Sequence, residues 1–340
     1  MKKYLLPEGG QFYKANLHCH TTLSDGKCTP EEIKEAYKAH GYSVVAFTDH
    51  DILVPHPELS DEDFIPLNGF EVEINKKCDR WPETKTCHIC FIAKDPENFT
   101  QPCYNEAYLF GNAPSNKHLV KFDENEPPYK REYSPEGVSD IMKKCRDKGF
   151  FVTYNHPTWS LERYPDYIGY EGMHAMEIVN FGCVSTGFEE YNSRVYEDFL
   201  QTGKRIFATA TDDNHNYAPF DSSYSDSFGG FTMIKAEKLD YKSITDALFA
   251  GNFYASMGPE IYELWYEDDC VHIICSDAVK IELNTCLRAN RVYYNKNVGE
   301  TVNEAIFKID PKEIYFRITV YDKEGKRAST NAYFLDEILK

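Results

Sequence analysis

Short apolar runs rich in β-branched and aromatic residues recur along the first three quarters of the chain: Ala15–His20, Val44–His50, Phe64–Ile74, His88–Lys94, Phe150–His156, Met176–Asn180, Ile206–Asp212 and Phe231–Ala236. Their length and make-up predict strands, those at Val44, Phe150 and Ile206 buried. Helical segments separate several of them. Thr29-Pro30-Glu31-Glu32 has the form of a capping box with proline at the first helical position, and Gly41 follows the helix it opens. Ser134-Pro135 opens another helix that Gly149 closes, and Phe188–Thr202 and Tyr241–Ala250 continue the rhythm. Strands alternating with helices predict a parallel sheet or a barrel.

After Gly258-Pro259 the pattern changes. Ile314, Phe316, Ile318 and Val320 alternate with Tyr315, Arg317, Thr319 and Tyr321, the period-two signature of a half-buried strand, and Lys323-Glu324-Gly325 then turns the chain. Residues 1–258 therefore read as one α/β domain and 259–340 as a small antiparallel β domain. The Asn-, Pro- and charge-rich stretch 95–133 shows little periodicity and reads as a long insertion, of the kind that covers active sites.

The chemistry lies where the strands end. In His18-Cys19-His20 the two imidazoles share a strand face, and Asp25 follows in Ser24-Asp25-Gly26. The apolar runs ending in Thr48-Asp49-His50-Asp51, Asn155-His156-Pro157 and Asp212-Asp213-Asn214-His215 also stop in ligand-capable residues. In parallel sheets and barrels the carboxyl ends of strands converge on one face, where sites are built. His40, His56, His118, His174 and His272 match no such pattern. Cys87-His88-Ile89-Cys90 contains a CxxC, but no second pair stands at zinc-finger spacing.

Composition narrows the class of partner. The chain has 340 residues, with 37 Lys+Arg against 55 Asp+Glu, a formal charge of −18. That balance disfavours duplex nucleic acid, because few cations are available to release phosphate counterions. No apolar run is long enough to span a membrane, and the start lacks a signal-peptide apolar region; scattered cysteines, 11 in number, fit a reducing cytoplasm.

Several separated motifs, in order, resemble the PHP (polymerase and histidinol phosphatase) superfamily of metal-dependent phosphoesterases: His18-Cys19-His20 with Asp25, Thr48-Asp49-His50-Asp51, Glu71 in Gly69-Phe70-Glu71, His88, Asn155-His156-Pro157 and Asp213-Asn214-His215. The resemblance implies a distorted (β/α)7 barrel holding two or three divalent ions, zinc, manganese or iron. It implies His18, His20, Glu71 and Asp213 on a first metal, Glu71, His88 and His156 on a second, and Asp25, His50 and His215 on a third. Asp25 stands where other members carry His. Glu71, Asp213 and His215 are the expected catalytic residues. The exit Gly251–Pro259 into a β-sandwich-like C-terminal domain is similar to members named as carbamate hydrolases.

Imidazole and carboxylate donors without thiolate suit catalytic rather than structural metal. Cations held by so few carboxylates leave a positive centre able to bind a phosphate dianion. The expected reaction is attack of a metal-bridging hydroxide on a small phosphomonoester or nucleotide. Asp49, Asp51, Asp212 and Asn155 are expected to orient ligands, and Arg163 and Lys117 to contact the anionic substrate. Hydrolysis of a carbamate, ester or amide by the same centre is the alternative, and a non-catalytic metal-binding interaction module is a third reading. The oligomeric state is not legible.

Overall fold

The computed structural model describes residues 2–78 and 80–340. Nine strands build the first domain: β1 (Gln11–Asn16), β2 (Val44–Phe47), β3 (Ile65–Asn75), β4 (Thr86–Ala93), β5 (Phe150–Tyr154), β6 (Ala175–Asn180), β7 (Phe207–Thr211), β8 (Phe231–Ala236) and β9 (Phe253–Ser256). They follow one another across a single sheet in the order β9-β8-β1-β2-β3-β4-β5-β6-β7. β1, β2 and β3 are parallel, as are β5, β6 and β7. β4 runs antiparallel to both its neighbours, and β8 antiparallel to β1. A regular β/α alternation is therefore broken at the β3–β4 hairpin. That reversal has a consequence for the site, because it brings the start of β4, where His88 lies, to the edge at which the parallel strands end.

The expected distorted barrel is not closed by a continuous ladder: among the described residues no backbone ladder joins β7 to β8. Side chains bridge the seam instead. Thr232 on β8 accepts from the Ala210 amide at 3.2 Å and donates to the Ala210 carbonyl at 2.9 Å. The buried amide of Asn331 accepts from the Ala208 amide and donates to the Gly251 and Phe253 carbonyls. Beyond the ends of the strands the gap closes differently: the His20 amide donates to the Asn214 carbonyl and the Asp213 amide to the His18 carbonyl. The segments after β1 and β7 thus meet directly. β1 itself stops at Asn16, so the His18–His20 pair lies just past the strand, on an extended stretch held by this bridge.

Helix Pro30–Ala39 carries the expected capping box between Thr29 and Glu32, and helix Tyr241–Ala250 matches its expected bounds. The helix expected from Phe188 begins only at Ser193, because Tyr191 first bridges to Val179 on β6.

The C-terminal strands do not form a free-standing unit. Arg327–Thr330 pairs antiparallel with β9, so Tyr315–Tyr321 and Lys280–Thr285 continue the large sheet. A second, four-stranded sheet of Lys3–Tyr4, Ile261–Glu267, Cys270–Ala278 and Val302–Lys308 shares an apolar cluster with them, including Leu264, Ile273, Leu283, Phe307, Phe316 and Ile318. Residues 3–4, read as part of the first domain, contribute to this second sheet. Tyr315–Tyr321 is buried along nearly its whole length rather than on alternate residues. Its Tyr315 and Arg317 face Glu197 of the helix Ser193–Gln201, so both faces are covered. Among the described residues no helix is long and apolar enough to cross a membrane.

The seam predicts a specific weakness. Asn331→Ala leaves the buried Ala208 amide without a partner and should lower stability by about 2 kcal/mol, read as a shift of the urea midpoint at constant slope.

Candidate metal centre

All nine side chains expected to bind metal converge on one edge of the sheet. The polar residues that end each buried run are turned inward by unusual backbone: Asp51, His156 and Asp213 have φ of 62°, 23° and 52°. Left-handed conformations of non-glycine residues cost about 1–3 kcal/mol each and persist where the surroundings impose them. Gly182 makes room for the last of these turns, since a Cβ there would lie 2.7 Å from the Asp212 carbonyl oxygen and 2.8 Å from that of Asp213.

Donor atoms approach as ligands of shared ions do. His20 Nε2 lies 3.0 Å from Asp213 Oδ1, and His18 Nε2 lies 3.1 Å from both Asp213 Oδ1 and Glu71 Oε1. His88 Nδ1 and His156 Nε2 stand 3.1 and 3.5 Å from Glu71 Oε1, and His50 Nδ1 3.2 Å from Glu71 Oε2. His215 Nε2 lies 3.3 Å from Asp25 Oδ2. Metal–ligand bonds of about 2.0–2.2 Å separate neighbouring donors by about 3.0–3.4 Å, so these gaps suit a central cation. His18 Nε2 and His20 Nε2 are only 3.1 Å apart. His20 Nδ1, His50 Nδ1, His88 Nε2, Glu71 Oε2 and Asp213 Oδ1 are buried without a hydrogen-bond partner. Buried polar atoms left unpaired are costly, and divalent ions held among these groups would satisfy those of Glu71 and Asp213.

The charges compensate across the cluster. Burial works to raise Glu71, but the imidazoles of His18, His88 and His50 outweigh it and hold the carboxyl well below its ordinary range. Burial, helped by the neighbouring imidazoles of His20 and His88, takes His50 the other way, down to about 3, despite the pull of Glu71 and Asp25.

A PHP domain family model matches residues 16–213. The chain belongs to the PHP domain family. No curated protein matches the chain. Among solved structures, a two-domain Bacteroides vulgatus protein described as containing a predicted PHP-like metal-dependent phosphoesterase is 14% identical, with a TM-score of 0.48, over 98% of this chain and 97% of its own. An amidohydrolase from Chromobacterium violaceum, with bound SO4 and no metal, is 14% identical with a TM-score of 0.39, over 70% of this chain and 96% of its own.

The four residues expected to orient ligands divide into two kinds. In this PHP domain only Asn155 touches a donor, its amide donating to Glu71 Oε1 at 2.8 Å. Asp49 accepts from the Thr21 and Ser24 amides and holds the loop that carries Asp25. Asp212 accepts from the amides of Phe228, Gly229 and Gly230 and from the Tyr37 hydroxyl. Asp51 is ion-paired with Arg131.

Arg163 and Lys117 do not line the cavity of about 970 Å³ over the cluster. Lys117 pairs with Glu106 at 2.6 Å, and Arg163 donates to the Glu162 carbonyl. The cation that does line it, among the described residues, is Arg131. Its guanidinium stacks on Tyr108 and donates to the Glu73 carbonyl, and its side chain is almost wholly buried. The insertion therefore reaches the site, with Ala107–Phe110 also in the wall.

Sequence reasoning also passed over Glu177. It accepts from His18 Nδ1 at 2.8 Å and from the His156 amide, Asn180 and Thr211. With Nδ1 so engaged, His18 presents Nε2 to the cluster. The available signal was a lone acid inside the apolar run Met176–Asn180, since a charge in a doubly buried strand requires a partner. Glu177→Gln should weaken zinc or manganese binding by about 10- to 100-fold with the far-UV spectrum unchanged, measured by competition against a chromophoric chelator.

Proposed function

We propose that this PHP-family protein is a metal-dependent hydrolase whose reaction is cleavage of small phosphomonoesters, nucleotides included. The observation that carries the reading is the set of buried, hydrogen-bond-orphaned donors spaced for divalent ions at the base of an open cavity. When bound, such ions supply Lewis acidity toward a phosphoryl oxygen and a water nucleophile available at neutral pH.

The protein's own part is orientation. Glu177 and the Asp213 carbonyl engage Nδ1 of His18 and His215, the latter at 3.0 Å, which leaves each Nε2 as the donor. Asn155 holds Glu71, and Asn180 holds Asp213 Oδ2 at 3.0 Å. His215 is the most exposed of the imidazole donors and stands in the cavity wall, where it can reach a bound substrate. Glu71 and Asp213, each within reach of several imidazole nitrogens, serve as shared donors. Arg131 is the group suited to a non-bridging phosphoryl oxygen, as its planar fork matches that geometry.

Zinc- or manganese-loaded protein should release phosphate from p-nitrophenyl phosphate, while chelator-treated protein and the His20→Ala and Asp213→Ala variants should lose at least about 1,000-fold in kcat/KM. Faster turnover of an aryl carbamate than of the matched aryl phosphate would move the reaction to a carbon centre. Arg131→Lys, which keeps a charge beside Asp51, should raise KM for the phosphate ester by about tenfold with a smaller change in kcat, measured by initial rates.

A further inference from the structure

The wall of the cavity above the metal donors has an unusual composition. Four segments far apart in sequence each turn aromatic rings into it: Trp81 from the β3–β4 connection, Tyr108 and Phe110 from the insertion, Trp159 from the loop after β5, and Tyr217 and Tyr224 from the loop after β7. These rings adjoin the donors on several sides. Phe110 lies 4.5 Å from His50, and Trp159 meets His88 and His156 edge-on at 5.3 and 5.1 Å. Tyr217 is parallel to His215 at 6.2 Å. Trp81 continues the surface outward from Trp159, ring to ring at 6.4 Å.

Three of the rings are poorly covered: Trp81 is 61% exposed, Tyr217 69% and Tyr224 80%. Single exposed aromatics on a surface need no explanation, but a convergent set rimming one concave site marks a binding surface. A phosphoryl group fills little of about 970 Å³, so the remaining space belongs to the group esterified to it. The cation in the wall, Arg131, is held by Asp51 and suited to the phosphoryl group, which leaves ring faces as the main recognition elements for the rest of the substrate.

We infer that the outer half of this cavity is a specificity subsite for a planar aromatic ring on the alcohol portion of the substrate, stacked against Trp81 and the neighbouring rings. The inference rests on the phosphoesterase reading for the phosphate and on the aromatic wall for the ring. A nucleoside and a simple aryl group share the required chemistry.

Fluorescence separates the two claims. The chain has 3 tryptophans, of which Trp81 and Trp159 line the cavity while Trp265 stacks on His272 in the C-terminal sheet. Zinc-loaded protein is titrated with adenosine 5′-monophosphate, phenyl phosphate and glycerol 3-phosphate, with excitation at the red edge of the tryptophan band, and phosphate release is followed in parallel. Saturable quenching by the ring-bearing esters and none by glycerol 3-phosphate supports the subsite; quenching by adenosine 5′-monophosphate alone assigns it to nucleosides. Quenching without hydrolysis of any ester leaves the subsite standing and overturns the phosphoesterase reading. Absence of quenching by both ring-bearing esters, or equal quenching by all three, overturns the subsite whether or not phosphate is released. Where there is turnover, Trp81→Ala should lower the ratio of kcat/KM for phenyl phosphate to that for glycerol 3-phosphate by about tenfold, and Trp81→Phe should recover most of it. Comparing the ratio between variants cancels the intrinsic difference between the leaving groups.

Discussion

Much of this structure answers one electrostatic problem: Glu71, Glu177 and Asp213 are buried around one imidazole, each within 3.1 Å of a ring nitrogen of His18. Isolated carboxylates in a low-dielectric interior are prohibitively costly and persist only when paired or bound to cations. Six imidazoles and a shell of amide donors supply part of the compensation, and the unpaired donor atoms mark what is left for divalent ions. Strand order, strained turns and the direct contact between the segments after β1 and β7 all serve to bring those charges to one place.

The open seam follows from the same arrangement. A complete β7–β8 ladder would align the two strands along their length, whereas here β7 leaves its strand at Thr211 and its continuation meets His18–His20. Thr232 and Asn331 satisfy backbone groups that a closed barrel would have paired. Asn331 lies next to Arg327–Thr330, so the C-terminal strands take part in finishing the first domain's sheet. This gives the C-terminal region a structural role in the domain that bears the metal donors.

The insertion is anchored beside the strand end that carries His50. Its Tyr104, Ala113 and Val120 pack on Ile52, two residues beyond His50, and its last turns deliver Arg131 to Asp51. An apolar anchor and a buried ion pair thus hold the same loop against one ligand-bearing strand end, and the rings of Tyr108 and Phe110 are carried into the cavity with it.

How much of this was legible in the chain depends on the range of the interaction. Strand-terminal His50, His156, Asp213 and His215, the His18–His20 pair, the capped helix Pro30–Ala39 and the family itself were visible, because each is written in a few adjacent residues whose period and polarity are local properties. Glu177 and Arg131 were not, since their roles exist only through partners 159 and 80 residues away, and neither residue stands in a recognisable pattern. Tyr315–Tyr321 looked half-buried because alternation reports one face; Glu197, which lies against the other, belongs to a different domain of the sequence. The sequence by itself determined which donors are available and roughly where each strand stops. Only the tertiary structure decided that the sheet stays open, that an insertion supplies the cavity's arginine, and that rings from four segments share one wall, because those outcomes depend on packing between distant parts of the chain.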